Sequence, residues 1–379
     1  MEKYTSIKQS GRHYGLDLLR IISMFMIVIT HVLGKGGLRS SVEGHADSYF
    51  IVTWIIQVLV YGAVNCYALI SGYVGINSRY RYSKLLSIWA QVFFYTFTIT
   101  ALFAITGHEV TLLNWRDAFF PIVSGQYWYI TAYFGLLVFM PVINNGLNAL
   151  TDKQLKQLVL LMFIIFSILP AVLNNRVPEF SLSKGFEMTW LLILYIIGAY
   201  LKRIDLNIFK TSYLLIIYLL SLVATYAMKF SVGDIWYWYV SPTLTLGAVS
   251  LFILFARASI KPSGFLKKII VVLAPSTLGV YLCHLHPLIV KYFVRDFAET
   301  FVYESIYLCH LHPLIVKYFV RDFAETFVYE SIYLYPFLIL GAGILIYLLA
   351  FIVERIRLRI FKAIHFSNFL RWFDDKFPY

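Results

Sequence analysis

Long apolar segments, separated by short polar connections, run along most of the chain. Ten of them are long enough, or nearly so, to cross the hydrocarbon core of a bilayer, which is about 30 Å thick. They lie near residues 14–33, 49–75, 85–106, 126–145, 157–174, 187–201, 211–228, 239–256, 269–290 and 335–353. The longest hydrophilic piece is the tail from Glu354 to Tyr379. The pattern predicts a single all-α domain over residues 1–379, a polytopic membrane helix bundle with about ten transmembrane helices.

The composition supports a membrane protein and excludes other classes. The chain is 60% hydrophobic and only 14% charged, whereas soluble domains are about 25% charged. Aromatic residues make up 18%, which suits belts of Trp and Tyr at the two membrane interfaces. Three cysteines in 379 residues exclude a disulfide framework or a zinc cluster, and we expect no metal ion.

The net charge is +12. The positions of the basic residues indicate how the chain is oriented in the membrane, and we expect no nucleic-acid partner. With a cytoplasmic N-terminus, 21 of the 32 Lys and Arg residues fall in inner segments and 10 in outer loops, Arg20 being the last. Cytoplasmic loops carry such an excess, so we expect both termini in the cytoplasm and affinity for anionic membrane lipid. The basic segment 1–13 leads into the first span without a cleavage site, as in a retained signal anchor.

One segment of the chain occurs twice. Residues 281–306 recur without a single change as residues 307–332, whereas a functional repeat array has more copies and tolerates drift. Identity at every position indicates a recent tandem duplication or an assembly artefact. The apolar part of the second copy, 306–316, is too short to cross a membrane. We therefore expect the extra residues to enlarge the outer loop before the last helix, or to form a shallow re-entrant hairpin there.

Arg20 and His31 lie within and at the end of the first apolar run. An ionisable side chain at membrane depth is costly unless it is paired or lines a wet cavity, so it indicates a functional site. Eleven residues of helix turn about 20° past three full turns and rise roughly 16 Å, so both side chains share one face. Asp17 joins that face and can pair with Arg20. The alternative is an arginine and a histidine that reach the two membrane interfaces.

Five segments of the chain are informative when they are taken in order. They are GLDLLRIISMFMIVITH (Gly15 to His31), ISGYVGI (Ile70 to Ile76), YWYITAYFGLLVFMP (Tyr127 to Pro141), LYIIGAYLKR (Leu194 to Arg203) and LGVYLCH (Leu278 to His284). Together they resemble the integral-membrane acyltransferase 3 family. The first contains that family's arginine, ten residues and histidine. The resemblance implies an enzyme that moves an acyl group, commonly acetyl, from cytoplasmic acyl-CoA to a hydroxyl of an extracytoplasmic glycan or lipid-linked saccharide. Acetyl-CoA is then a donor substrate, and no permanently bound cofactor is expected.

Arg20 and His31 have side chains that suit this reaction. The planar fork of Arg20 matches phosphate oxygens and is expected to hold the CoA pyrophosphate. A neutral imidazole at His31 can take the proton of the acceptor hydroxyl as general base, a contribution of about 10²–10⁴-fold. A covalent acyl-histidine is the other possibility, and the sequence leaves both open.

Arg81 and Lys84 are the second candidate pair for the donor. Arg81-x-x-Lys84, in the loop Asn77 to Lys84, resembles the family's Arg-x-x-Arg element, with lysine in the last place. Lysine binds phosphate as a point charge rather than as a fork. The alternative is a basic loop that serves only membrane orientation.

His284 and Trp128 are the candidates on the acceptor side. His284 resembles the histidine of the family's YLIH signature, and we expect it to bind substrate; the alternative is a structural histidine. His310, its duplicate, is a rival. Trp128 can stack on a sugar face, although interfacial tryptophans are common.

Two other functions fit the same composition. A secondary transporter, or a flippase for a surface-polysaccharide precursor, also places ionisable residues inside a helix bundle. Transporters usually carry weak repeats that relate their halves, whereas the repeat in this chain is local and identical. A non-catalytic subunit of a polysaccharide assembly complex is the third interpretation. We expect a bacterial cell membrane as the location, and the sequence carries no signal for the oligomeric state.

Overall fold

The computed structural model describes residues 12–43, 48–261, 263–295 and 333–378. In these ranges the regular structure is helical, with no strand. Nine helices there are long and apolar enough to cross a membrane, and a bent pair provides a tenth. The prediction of an all-α polytopic bundle with about ten transmembrane helices is confirmed. The cytoplasmic placement of the termini stays a prediction.

Twelve helices organise the described ranges. They are α1 (Tyr14–Gly34), α2 (Ser48–Gly75), α3 (Ser83–Ile105), α4 (Leu112–Phe119), α5 (Trp128–Ala149), α6 (Asp152–Val172), α7 (Met188–Arg203), α8 (Thr211–Ser231), α9 (Asp234–Ala256), α10 (Gly264–His284), α11 (Tyr335–Ala363) and α12 (Phe366–Lys376). α2 is interrupted at Gly62, between Tyr61 and Ala63. The short α7 follows a 3₁₀ segment, Pro178–Gly185, at an angle of 83°.

α1 lies in the middle of the bundle. It packs against α2, α9, α10 and α11, and Leu19, Val28 and Val32 on it are fully buried. It begins after His13, whose Nδ1 accepts the Leu16 N–H at 3.3 Å. Burial lowers the pKa of His13, which favours the neutral imidazole, the form that can accept a hydrogen bond. The helix carrying the two candidate residues is therefore largely enclosed by its neighbours.

Two glycines bring α2 and α7 into close contact. A Cβ built on Gly72 would overlap the Tyr195 carbonyl, and one built on Gly198 would overlap the Leu69 carbonyl. Small residues at such positions let membrane helices approach closely. Two of the motifs quoted above, Ile70 to Ile76 and Leu194 to Arg203, thus contact each other in the structure.

Two helices lie where the sequence pattern predicted only loop or tail. α4 folds back along α3, where Thr96 Oγ1 donates to the Ala118 carbonyl at 2.9 Å. It is short and amphipathic, and its Leu112 is 87% exposed. At the other end of the chain α12 follows α11, which continues ten residues past the predicted end of the last span at 353. Asp374 of α12 accepts hydrogen bonds from the backbone N–H and the hydroxyl of Ser83.

Most of the duplicated segment lies outside the described residues. The described part includes only 281–295 of the first copy and none of the second copy, 307–332. The enlarged outer loop and the rival role of His310 therefore stay predictions. The chain is described again from Tyr333, and Tyr335 at the start of α11 shares a hydrogen bond of 2.9 Å with Thr53 on α2.

We expect Gly72→Ala to lower the stability of the bundle. The added methyl group would overlap the Tyr195 carbonyl on α7, and overpacking of this kind costs about 1–3 kcal/mol. The measurement is the melting temperature of the detergent-solubilised protein. Gly146→Ala on α5 is the matched control, because its Cβ would meet nothing within 4 Å. Equal melting temperatures for the two variants would contradict the close contact between α2 and α7.

Candidate active site

A single cavity of about 970 Å³ contains both ends of the predicted site. Arg20 and His31 both line it, and so do Arg81, Lys84 and Trp128. Its walls come from α1, α2, α3, α5, α9 and α10. The structure thus brings five of the six candidate residues to one cavity, whereas the side chain of His284 is not part of the lining.

The end of the cavity near Arg20 is organised by one carboxylate. Asp17, only 6% exposed, accepts a hydrogen bond from Arg20 Nη1 at 2.7 Å and forms an ion pair with Arg12. Within the described ranges, Nη1 is the only guanidinium nitrogen of Arg20 with a hydrogen-bond partner. Asp17 therefore holds Arg20 in place while most of its donors are left for a ligand.

This end of the cavity is strongly basic. Five cationic side chains line it, whereas Asp17 is the one carboxylate in the described lining. The cations are Arg12, Arg20, Arg79, Arg81 and Lys84. Arg81 has a side chain that is 58% exposed and lies 3.9 Å from Asp374. Clefts lined by one sign of charge concentrate ligands of the other sign, so this end suits a polyanion such as a set of phosphates.

His31 lies near the other end of α1, against the histidine that ends α10. Its Nδ1 is 3.0 Å from Nε2 of His284, and Nδ1 of His284 is 2.6 Å from the Val280 carbonyl oxygen. His284 is 2% exposed and does not line the cavity. The remaining ring nitrogen of His31, Nε2, has no hydrogen-bond partner among the described residues.

Trp128 belongs to a stack of aromatic rings, three of which line the same cavity as His31. It stacks on Tyr239 with ring centroids 5.8 Å apart, and Tyr239 stacks on Tyr61 at 4.5 Å. Tyr61 in turn stacks on Tyr237 at 4.1 Å. Trp128, Tyr239 and Tyr61 all line the cavity. The tryptophan is therefore part of an aromatic wall of the cavity, formed by Trp128, Tyr239 and Tyr61, rather than an isolated interfacial ring.

The stretch between the two ends has mainly apolar walls. Met24 and Ile27 of α1 face it together with Tyr67, Tyr133 and Ser71. Tyr67 also donates to the Arg20 carbonyl at 2.8 Å, which ties α2 to the Arg20 end of α1. Such a passage suits a slender, largely uncharged chain between an anionic head and a reacting group.

Some lining residues carried no usable signal in the sequence. Arg12 lies before the first span and joins the site only through its contacts with Asp17 and the Ile270 carbonyl. Ser83 lines the cavity at the start of α3. The described part of the chain holds no group of three His, Cys, Asp or Glu residues placed to bind a metal ion.

The fold and the cavity define a polytopic helical membrane protein with an internal, charged site. The family model Acyl_transf_3, described as an acyltransferase domain, matches residues 13–309. The chain therefore belongs to the acyltransferase 3 family, as the ordered motifs predicted, and is a membrane acyltransferase. No curated protein and no solved structure matches it significantly.

We expect Ser71→Cys to react with a water-soluble methanethiosulfonate and Ser23→Cys to remain unmodified. Ser71 lines the cavity, whereas Ser23 is fully buried, and thiols react through the hydrated thiolate. The background carries alanine at Cys66, Cys283 and Cys309, and modification is read by mass spectrometry. Equal protection of both thiols would show that water does not reach the passage between Arg20 and His31.

Proposed function

We propose that this protein transfers an acyl group, acetyl in the first instance, from acyl-CoA on the cytoplasmic side to a hydroxyl of a glycan or lipid-linked saccharide on the outer side. The observation that carries the proposal is one cavity lined by a basic cluster at one end and by His31 at the other. On the predicted orientation, Arg20 lies toward the cytoplasmic leaflet and His31 toward the outer one. The proposed location is a bacterial cell membrane.

The basic end is the proposed site for the CoA phosphates. Bidentate hydrogen bonds from a guanidinium to phosphate are short and strong, and Arg20 has donors left after its contact with Asp17. Arg81 and Lys84 add charge at the same end. The five cations there exceed the nearby carboxylates Asp17 and Asp374 in number, so the site has positive charge to neutralise several phosphate groups.

The apolar stretch is the proposed channel for the pantetheine arm. Arg20 and His31 are eleven positions apart on one helix, a rise of roughly 16 Å. A pantetheine arm is of comparable length, so phosphates held near Arg20 put the thioester near His31. Holding both reactants in position is worth a large part of a bimolecular barrier, about 7–11 kcal/mol in well-oriented cases.

The transfer uses the unprotonated Nε2 of His31 as general base. The acceptor hydroxyl gives its proton to Nε2 while its oxygen bonds to the thioester carbonyl carbon. The carbon–sulfur bond then breaks, and the CoA thiolate leaves with the proton that His31 returns. A covalent acyl-histidine would use the same lone pair on Nε2. Both routes therefore place the same atom at the reacting carbon.

The aromatic wall is the proposed platform for the acceptor. Trp128, Tyr61 and Tyr239 line the same cavity as His31, and rings of this kind offer apolar faces together with polar edges. A saccharide stacked there would present its hydroxyls toward Nε2. A precursor transporter or flippase is the alternative, and membership of an acyltransferase family favours group transfer.

We expect His31→Ala to reduce acyl transfer about 10²–10⁴-fold, because it removes the general base. The assay incubates membranes with radiolabelled acetyl-CoA and measures label in the glycan and lipid fractions. His108→Ala is the control, since His108 is an exposed histidine after α3. Undiminished transfer in His31→Ala would remove His31 from the mechanism.

We expect Arg20→Ala to raise the KM for acetyl-CoA at least tenfold with a smaller change in kcat. A hydrogen bond to a charged group is worth about 1.5–3 kcal/mol, and about 1.4 kcal/mol corresponds to a tenfold change in affinity. Arg116→Ala, at an exposed arginine on α4, is the matched control. A fall in kcat at unchanged KM would contradict a donor-binding role for Arg20.

A further inference from the structure

His284 touches His31 without lining the cavity. The two residues are far apart in the chain, yet Nδ1 of His31 and Nε2 of His284 are 3.0 Å apart. We propose that His284 is a positioning residue that fixes the tautomer and the ring orientation of His31. This inference rests on the proposed function of His31 as the base. It replaces the substrate contact that the sequence predicted for His284.

The tautomer follows from the backbone. A carbonyl oxygen only accepts hydrogen bonds, so the contact of 2.6 Å between His284 Nδ1 and the Val280 oxygen requires a proton on Nδ1. A neutral imidazole carries one proton, which leaves Nε2 of His284 as an acceptor. His31 must then donate from its own Nδ1. Its Nε2 is consequently the nitrogen with the free lone pair.

Contacts with neighbouring helices fix the part of α10 that carries His284. Val280 lies one turn before His284 on α10, and α10 packs against α1. The Tyr127 hydroxyl donates to the neighbouring Leu282 carbonyl at 2.9 Å, which ties the end of α10 to the start of α5. Lower on α10, a Cβ at Gly279 would overlap the carboxylate of Glu354, so α11 also sets the position of this helix. The ring of His284 thus has a fixed place.

The same hydrogen bond becomes stronger during the reaction. When Nε2 of His31 takes the acceptor's proton, the ring becomes an imidazolium and its Nδ1–H donates to the neutral Nε2 of His284. Hydrogen bonds with an ionised partner are roughly twice as strong as neutral ones. Stabilisation that appears only with the developing charge lowers the barrier rather than strengthening substrate binding. Loss of His284 should therefore lower kcat and leave the KM for the donor nearly unchanged.

The test compares three variants with the wild type. We expect His284→Ala to lower kcat about 10²-fold, the usual cost of small misplacement at a reacting centre, with the KM for acetyl-CoA changed less than twofold. His284→Gln restores an acceptor oxygen near the position of Nε2, and we expect it to recover at least tenfold over His284→Ala. His286→Ala is the matched control, because His286 is equally buried and contacts Thr100 instead of His31.

A spectroscopic readout separates positioning from packing. In ¹⁵N-histidine-labelled protein, the signals lost in His31→Ala identify the two ring nitrogens of His31. We expect a protonated Nδ1 and an unprotonated Nε2 in the wild type, and a mixture of tautomers in His284→Ala. Protonation of Nε2 in the wild type would overturn the proposal directly.

The outcomes distinguish this inference from the proposed function. If His31→Ala abolishes transfer while His284→Ala keeps kcat and the tautomer signals, the positioning role is wrong and the function stands. If His284→Ala and His286→Ala lose activity and melting temperature equally with unchanged tautomer signals, His284 serves packing only and the proposal falls. If His31→Ala remains fully active, the proposed function itself fails.

Discussion

Polar groups inside a membrane protein must find their partners within the protein, because hydrocarbon offers none. This constraint turns the ionisable side chains of the bundle inward. Asp17 lies between Arg12 and Arg20, and His31 bonds to His284. An enclosed space in which such groups meet is the one place at membrane depth where they can also meet a charged substrate. The cavity and its chemistry are consequences of the same requirement.

Two buried carboxylates in the described structure, Glu354 and Asp17, satisfy this requirement differently. Glu354 is fully buried and accepts two hydrogen bonds of 2.7 Å from Arg357 and one of 2.6 Å from the Tyr95 hydroxyl. That cluster is closed, does not line the cavity and joins α3 to α11. Asp17, by contrast, is shared by two guanidinium groups, so cationic donors are left over. Only the second arrangement leaves positive charge available to a ligand.

Sequence patterns predicted what depends on local periodicity. Hydropathy located the spans, and helical spacing placed Arg20 and His31 on one face of α1, where both line the cavity. The same reasoning put Glu354 at the start of a hydrophilic tail, because a span is recognised by its apolar residues and Glu354 is buried only through partners on other elements. The contact between His31 and His284 spans 253 positions. No periodic signal connects residues at such a distance, so it required the structure.

Distance and orientation in the site therefore have different origins. The separation of Arg20 and His31 follows from the helical rise of α1, since both lie on one unbroken helix. It is insensitive to small shifts among neighbouring helices. The direction in which His31 presents its lone pair depends on His284 and so on the packing of α10 against α1. In the proposed mechanism, the donor arm depends on the first property and proton transfer depends on the second. A movement of the end of α10 that carries His284 would change the orientation of His31 and therefore proton transfer, whereas the separation of Arg20 and His31 would stay the same.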